Sequence, residues 1–162
     1  MVKFLILDAG PFISLTTNGL IKVLENLKKK FPEIEMILTP QVKREVIDRP
    51  LKIKKYELEA IKVMDLLDKK VIKMSSEFVQ NGILEKETSK VIQDSNSLLT
   101  GAGETIRPIQ EGEASCLAFS KLCGKENLIV IDERTTRLLT ESPENLHKLM
   151  ERKVHMKLNL NK

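Results

Sequence analysis

The chain has no tryptophan, one tyrosine and five phenylalanines, so aromatic residues make up 4% of its 162 positions. A surface that reads single strands by stacking successive bases on rings needs more than this, and any nucleic acid contact is expected through the backbone. Cysteine is as scarce. Cys116 and Cys123 lie seven positions apart within a predicted helix, two turns from each other, which rules out a disulfide or a zinc pair and leaves reduced core residues. Long apolar runs are missing too: the run after Lys3 stops at Asp8, far short of a signal-peptide core or a membrane span. A cytoplasmic protein without membrane attachment is expected. Neither charge sign dominates, with 27 Lys and Arg against 23 Asp and Glu, a net +4 and a pI near 9.0; this mild surplus favours polyanionic partners without requiring them. No internal repeat or low-complexity tract interrupts the chain. What remains, 41% hydrophobic and 31% charged residues, suits one globular domain over 1–162 with a proper core.

Two stretches share one form. Phe4-Leu5-Ile6-Leu7 runs into Asp8, and Leu128-Ile129-Val130-Ile131 runs into Asp132-Glu133. An unbroken apolar run ending on acid reads as a buried parallel strand delivering a carboxylate to the carboxyl edge of a sheet, where α/β folds bind ligands. Between them, Leu20 to Leu27 repeats at helical spacing and Glu35–Leu38 reads as a second strand. Thr39-Pro40 caps a helix carrying Val42 and Val46 inward and Gln41, Glu45 and Asp48 outward, until Arg49-Pro50 stops it. Lys54–Asp68 is amphipathic and Val71–Met74 reads as a third strand.

From Ser75 to Gln110 the alternation breaks, as expected of an insertion or lid. Gly101-Ala102-Gly103 reads as a hinge, because a Gly-x-Gly with no preceding strand and no third glycine is not a nucleotide loop. Gly112–Gly124 is a strong helix with Glu113 in its first turn, Arg134–Leu139 is helical, and Ser142-Pro143 caps another helix. Val154, Met156, Leu158 and Leu160 alternate with polar residues, the pattern of a half-exposed edge strand.

With strands and helices alternating, the chain predicts an α/β three-layer sandwich: a parallel sheet of about five strands with helices on both faces. Asp8, Glu45, Glu113 and Asp132 then converge at one edge. Clustered carboxylates repel unless a divalent cation neutralises them, and hard oxygen donors select Mg²⁺ or Mn²⁺. Such an ion activates water at a phosphodiester. Each acid also has a plainer reading: Asp8 as a helix cap, Glu45 as a solvated helix residue, Glu113 as a complement to a helix dipole, and Asp132-Glu133 as a helix start.

The pieces Leu5-Ile6-Leu7-Asp8, Thr39-Pro40-Gln41-Val42-Lys43-Arg44-Glu45, Glu111-Gly112-Glu113-Ala114 and Ile129-Val130-Ile131-Asp132-Glu133-Arg134 together resemble the PIN domain (PilT N-terminus-like). This family comprises metal-dependent ribonucleases found in bacterial and archaeal toxin-antitoxin pairs and among RNA-processing factors. The resemblance spans nearly the whole chain. It implies Mg²⁺- or Mn²⁺-dependent cleavage of single-stranded RNA, with Asp8, Glu45, Glu113 and Asp132 as catalytic metal ligands and Glu133 as a further ligand. It also implies an antitoxin or RNA-processing protein as partner, and a homodimer. Two departures stand out: Gly10 where many members carry a hydroxyl, and Val130-Ile131 where many carry a threonine before the last acid.

Lys43, Arg44, Arg134 and Arg137 flank these acids as candidate RNA phosphate contacts. Lys52, Lys54 and Lys55 form another basic run, and His147 and His155 are read as surface residues without a role. Two other functions compete. A haloacid-dehalogenase-like phosphohydrolase with Asp8 as nucleophile wants an Asp where Gly10 stands, and a catalytically silent RNA- or partner-binding module keeps the fold without turnover.

Overall fold

The computed structural model describes residues 3–101, 104–124 and 126–161. In chain order, β1 (Phe4–Leu7) leads into α1 (Ala9–Thr17) and α2 (Lys22–Lys30). Next, β2 (Glu35–Leu38) leads into α3 (Pro40–Lys43), which widens to a π-helical turn over Arg44–Asp48, and then α4 (Glu57–Asp68). β3 (Ile72–Met74) is followed by the long α5 (Asn81–Leu98), then β4 (Leu99–Gly101), β5 (Glu104–Thr105) and α6 (Glu111–Cys123). The chain closes with β6 (Asn127–Val130), α7 (Arg134–Glu141), α8 (Pro143–Val154) and β7 (Asn159–Leu160).

The main sheet has four strands, all parallel, in the order β3-β2-β1-β6. Helices flank it, an α/β architecture compatible with three layers. The expected fifth strand is not in this sheet. Val154 instead ends α8, His155 turns the chain with a positive φ of 54°, and only Asn159 and Leu160 become extended. They pair antiparallel with β4, opposite β5, in a separate three-stranded sheet. The alternating pattern was real for Leu158 and Leu160, but Val154 packs with the helix. His147 is not a free surface group either: its Nε2 lies 2.7 Å from the Leu158 carbonyl oxygen, tying α8 to the approach of β7.

Strands β1 and β2 are sealed. Phe4, Ile6, Leu7, Met36, Ile37 and Leu38 are all buried, each fully buried side chain contributing about 1.5–3 kcal/mol. Phe4 packs edge-on against both Phe78 and Phe119, so three of the few aromatic rings serve the core region. β6 corrects an expectation: it is the edge strand, and Leu128 is 54% exposed. Its apolar run reflects partial cover by helices on a strand with one open side. The segment expected to be an insertion or lid contains α5, whose Leu84 joins the main core. A second, smaller apolar cluster of Leu99, Leu138, Leu146, Met150 and Leu158 joins α7 and α8 to the small sheet. Of the expected hinge, Gly101 lies in β4, while Ala102 and Gly103 fall outside the described residues. Cys116 and Cys123 are free thiols, the first fully buried. Among the described residues no helix is long and apolar enough to cross a membrane.

Candidate active site

From β1 the chain adds β2 and β3 on one side and returns to place β6 on the other, so the strand order reverses between β1 and β6. That reversal opens a crevice at the carboxyl ends of the strands. Asp8 stands there. Its backbone N–H extends the ladder to the Val130 carbonyl oxygen at 3.1 Å, and its side chain is 6% exposed. Asp8 occupies the N-cap position of α1 but makes no side-chain capping bond, so the plain reading as a cap fails. Burial raises its pKa from 3.8 to about 6, opposed by the Ala9 amide and reinforced by the charges of Glu113, Glu45 and Asp132.

Glu45 reaches the same crevice from the π-helical turn, a distortion that adds a residue to the turn and re-aims side chains. Gln41, expected on the same outward stripe, is buried instead. The N-terminus of α3 is pinned to α6: Thr39 Oγ1 and Ser115 Oγ lie 2.6 Å apart, and Ser115 donates to the Gly112 carbonyl oxygen. A Cβ on Gly112 would come within 2.9 Å of Glu45 Oε1. The glycine is therefore the floor on which this carboxylate rests. Burial raises the Glu45 pKa, with Arg49 opposing and Glu113 and Glu111 adding to the rise.

Glu113 is held at both oxygens. Oε2 accepts from the Gln110 backbone N–H at 2.7 Å, half of a capping box, and Oε1 accepts from Thr136 Oγ1 at 2.6 Å. Asp132 is exposed and lies over Gly10, where a Cβ would be 2.0 Å from its Oδ1. Gly10, the departure noted in the sequence, thus leaves room for the last acid. Glu133 behaves differently. It caps α7, accepting from the Thr135 hydroxyl at 2.6 Å and from Lys153 Nζ at 3.3 Å, and these partners lower its pKa.

A hollow of about 460 Å³ opens over these groups, with Asp8, Glu45, Glu113 and Glu133 in its walls. The structure brings these four to one cavity, and Asp132 joins them through its seat on Gly10. Among the described residues, no three His, Cys, Asp or Glu side chains form a group that could hold a metal ion as placed. The donor chemistry nevertheless suits a hard divalent cation. Asp8 and Glu45 are carboxylates whose charged forms are disfavoured by burial and by neighbouring acids, and both glycine seats keep the space beside the acids clear.

None of the four expected phosphate contacts lines this hollow. Lys43 pairs with Asp48, Arg44 with Glu111 and Arg137 with Glu141, while Arg134 borders a separate recess beside Lys148 and Arg152. The cationic residues in the wall are Arg107 and Lys153, which sequence reasoning missed. Both arrive by tertiary packing from segments with no acidic motif nearby. Thr136 was also missed, although a Thr-Thr pair directly after Arg134 offered a signal. Comparison with protein-family models, with curated proteins and with solved structures gives no match.

Proposed function

We propose that the chain is a divalent-cation-dependent endoribonuclease that hydrolyses phosphodiester bonds of single-stranded RNA, with Mg²⁺ or Mn²⁺ as the cofactor. The observation that carries this reading is the hollow at the strand-order reversal, where Asp8 is buried among like charges and carries a pKa of about 6. A buried carboxylate facing other acids is poised to take a cation. Asp8, Glu45, Glu113 and Asp132 would hold the ion, and it would supply a polarised water and charge stabilisation at the phosphate.

The chain's own groups have separate tasks. Glu113 is fixed by Gln110 and Thr136, so it orients the others without moving itself. Arg107 and Lys153 add positive charge to the walls of an otherwise acidic cavity, suited to the backbone of an approaching strand. Glu133, already neutralised by Lys153, holds that lysine and the start of α7 in place and is a weaker candidate ligand than Asp132. Glu45 and Asp132, seated on glycines in the first turns of α6 and α1, are the ligands with freedom to close on an ion.

The test is cleavage of end-labelled single-stranded RNA with Mg²⁺ or Mn²⁺ by the wild type, Asp8→Asn and Asp132→Asn. Cleavage that both substitutions abolish is the expected result, and cleavage unchanged in Asp8→Asn would refute the assignment. One observation favours a second reading: the acids do not form a closed metal group as placed. RNA binding insensitive to EDTA, with no cleavage of any RNA, would mark the chain as a binding module instead.

A further inference from the structure

Glu45 lines a second hollow as well, of about 310 Å³, whose other walls are mostly apolar: Phe12, Ile13, Val46, Pro50, Tyr56 and Val63. One further polar group enters it with consequence. Glu59, in the first turn of α4, lines the hollow, and its Oε2 is buried without a hydrogen-bond partner among the described residues. A buried carboxylate oxygen left unpaired is costly, so this surface is complete only when a donor arrives.

The chemistry of the occupant follows from the walls. No Lys or Arg lines this hollow, and two carboxylates do, which excludes a phosphate. The space fits a flat, largely apolar body that carries N–H donors on one edge. Among the nucleobases, only guanine presents two adjacent donors, N1–H and the 2-amino group, on its Watson–Crick edge. Adenine, cytosine and uracil would each turn an acceptor toward the carboxylate beside their donor. Tyr56 supplies an aromatic wall, and Lys55 Nζ lies 5.2 Å from its ring centroid, setting a positive charge beside the hollow.

We propose that this hollow is a guanine-binding subsite, with Glu59 accepting from the base edge while the same strand's backbone passes the acidic hollow on the other side of the shared Glu45. The subsite rests on the nuclease reading for its role in choosing where RNA is cut. It also refines the expectation of backbone-only contact: a single pocket needs one ring, where a stacking platform needs several.

The experiment is calorimetric titration of the full chain, in EDTA so that no turnover occurs, with the 5′-monophosphates of guanosine, inosine, adenosine, cytidine and uridine. Guanosine monophosphate should bind at least about tenfold tighter than the adenine, cytosine and uracil nucleotides, with inosine, which lacks the 2-amino group, in between. Glu59→Gln, checked for an unchanged melting curve, should bring the affinities within about threefold of one another. Equal affinities in the wild type, or a guanine preference that survives in Glu59→Gln, would overturn the proposal. Should that variant fail to fold, the guanosine-to-inosine ratio of the wild type decides alone. The outcome is separable from the nuclease reading: selective binding without RNA cleavage keeps the subsite and removes the nuclease, and cleavage without selective binding does the reverse.

Discussion

The carboxylates that follow β1 and β6 sit at the same edge of one sheet, yet their environments drive them in opposite directions. Asp8 ends a sealed central strand, with Glu113, Glu45 and Asp132 around it, and its pKa rises to about 6. Glu133 follows the edge strand, 46% exposed, and Thr135 and Lys153 hold its pKa below the usual value. The difference separates an acid that lacks a counter-charge from one that has it. Only the first has binding capacity to spare for a cation, whereas the second has already been used to start a helix and anchor a lysine.

The sharpest way to break this contrast is by activity. Asp8→Asn should lower metal-dependent RNA cleavage by at least about 10²-fold, whereas Glu133→Gln should lower it by less than about tenfold. Single-turnover rates on one RNA measure both, and equal losses would erase the distinction. Next in size is the seat of Asp132. Gly10→Ala puts a methyl group where Oδ1 now lies and displaces a flexible carboxylate, not backbone. Mg²⁺ affinity should fall by about 10- to 100-fold with little change in melting temperature; Gly112→Ala, with a contact of 2.9 Å to Glu45, should have the smaller effect of the two.

Stability gives a milder test. Glu133→Ala removes the cap of α7 and should cost about 1 kcal/mol, a melting temperature lower by about 3 °C. The smallest effect is in the pH profile, where the two acids have opposite signs. Asp8 binds its proton more tightly in the folded state. Its stabilising contribution is therefore present below pH 3.8, the unfolded value, and is lost as pH rises toward about 6. Glu133 has a depressed pKa, so its contribution is present above its unfolded value of 4.5 and is lost as pH falls through the folded one. Denaturant melts between pH 3 and 7 should show Asp8→Asn flattening the decline toward neutral pH, and Glu133→Gln flattening the loss on the acid side.

Much of this was legible in the sequence because it rests on local pattern. The apolar run that ends at Asp8, the Thr39-Pro40 cap and the Gly112 helix are each set by residues close in the chain, and each forms where expected. The acids of the site lie next to such elements, so their shared edge followed from strand order alone. What failed depended on distant partners. The alternation after Val154 gave a two-residue strand in a second sheet because α8 claimed Val154 and β4 offered an edge. The basic neighbours of the acids, Lys43, Arg44 and Arg137, found nearer carboxylates, while Arg107 and Lys153 reached the hollow from afar. Sequence proximity locates an acid on a strand end; it does not say which cation the fold will bring to face it.

The most direct test of the central claim is the side-chain carboxyl titration of Asp8 by carbon-detected NMR, without and with saturating Mg²⁺. The account predicts a pKa of about 6 in the metal-free protein and a clear fall when Mg²⁺ is added, as the cation takes over from the proton. A titration that Mg²⁺ leaves unchanged would contradict a metal-dependent centre at this edge.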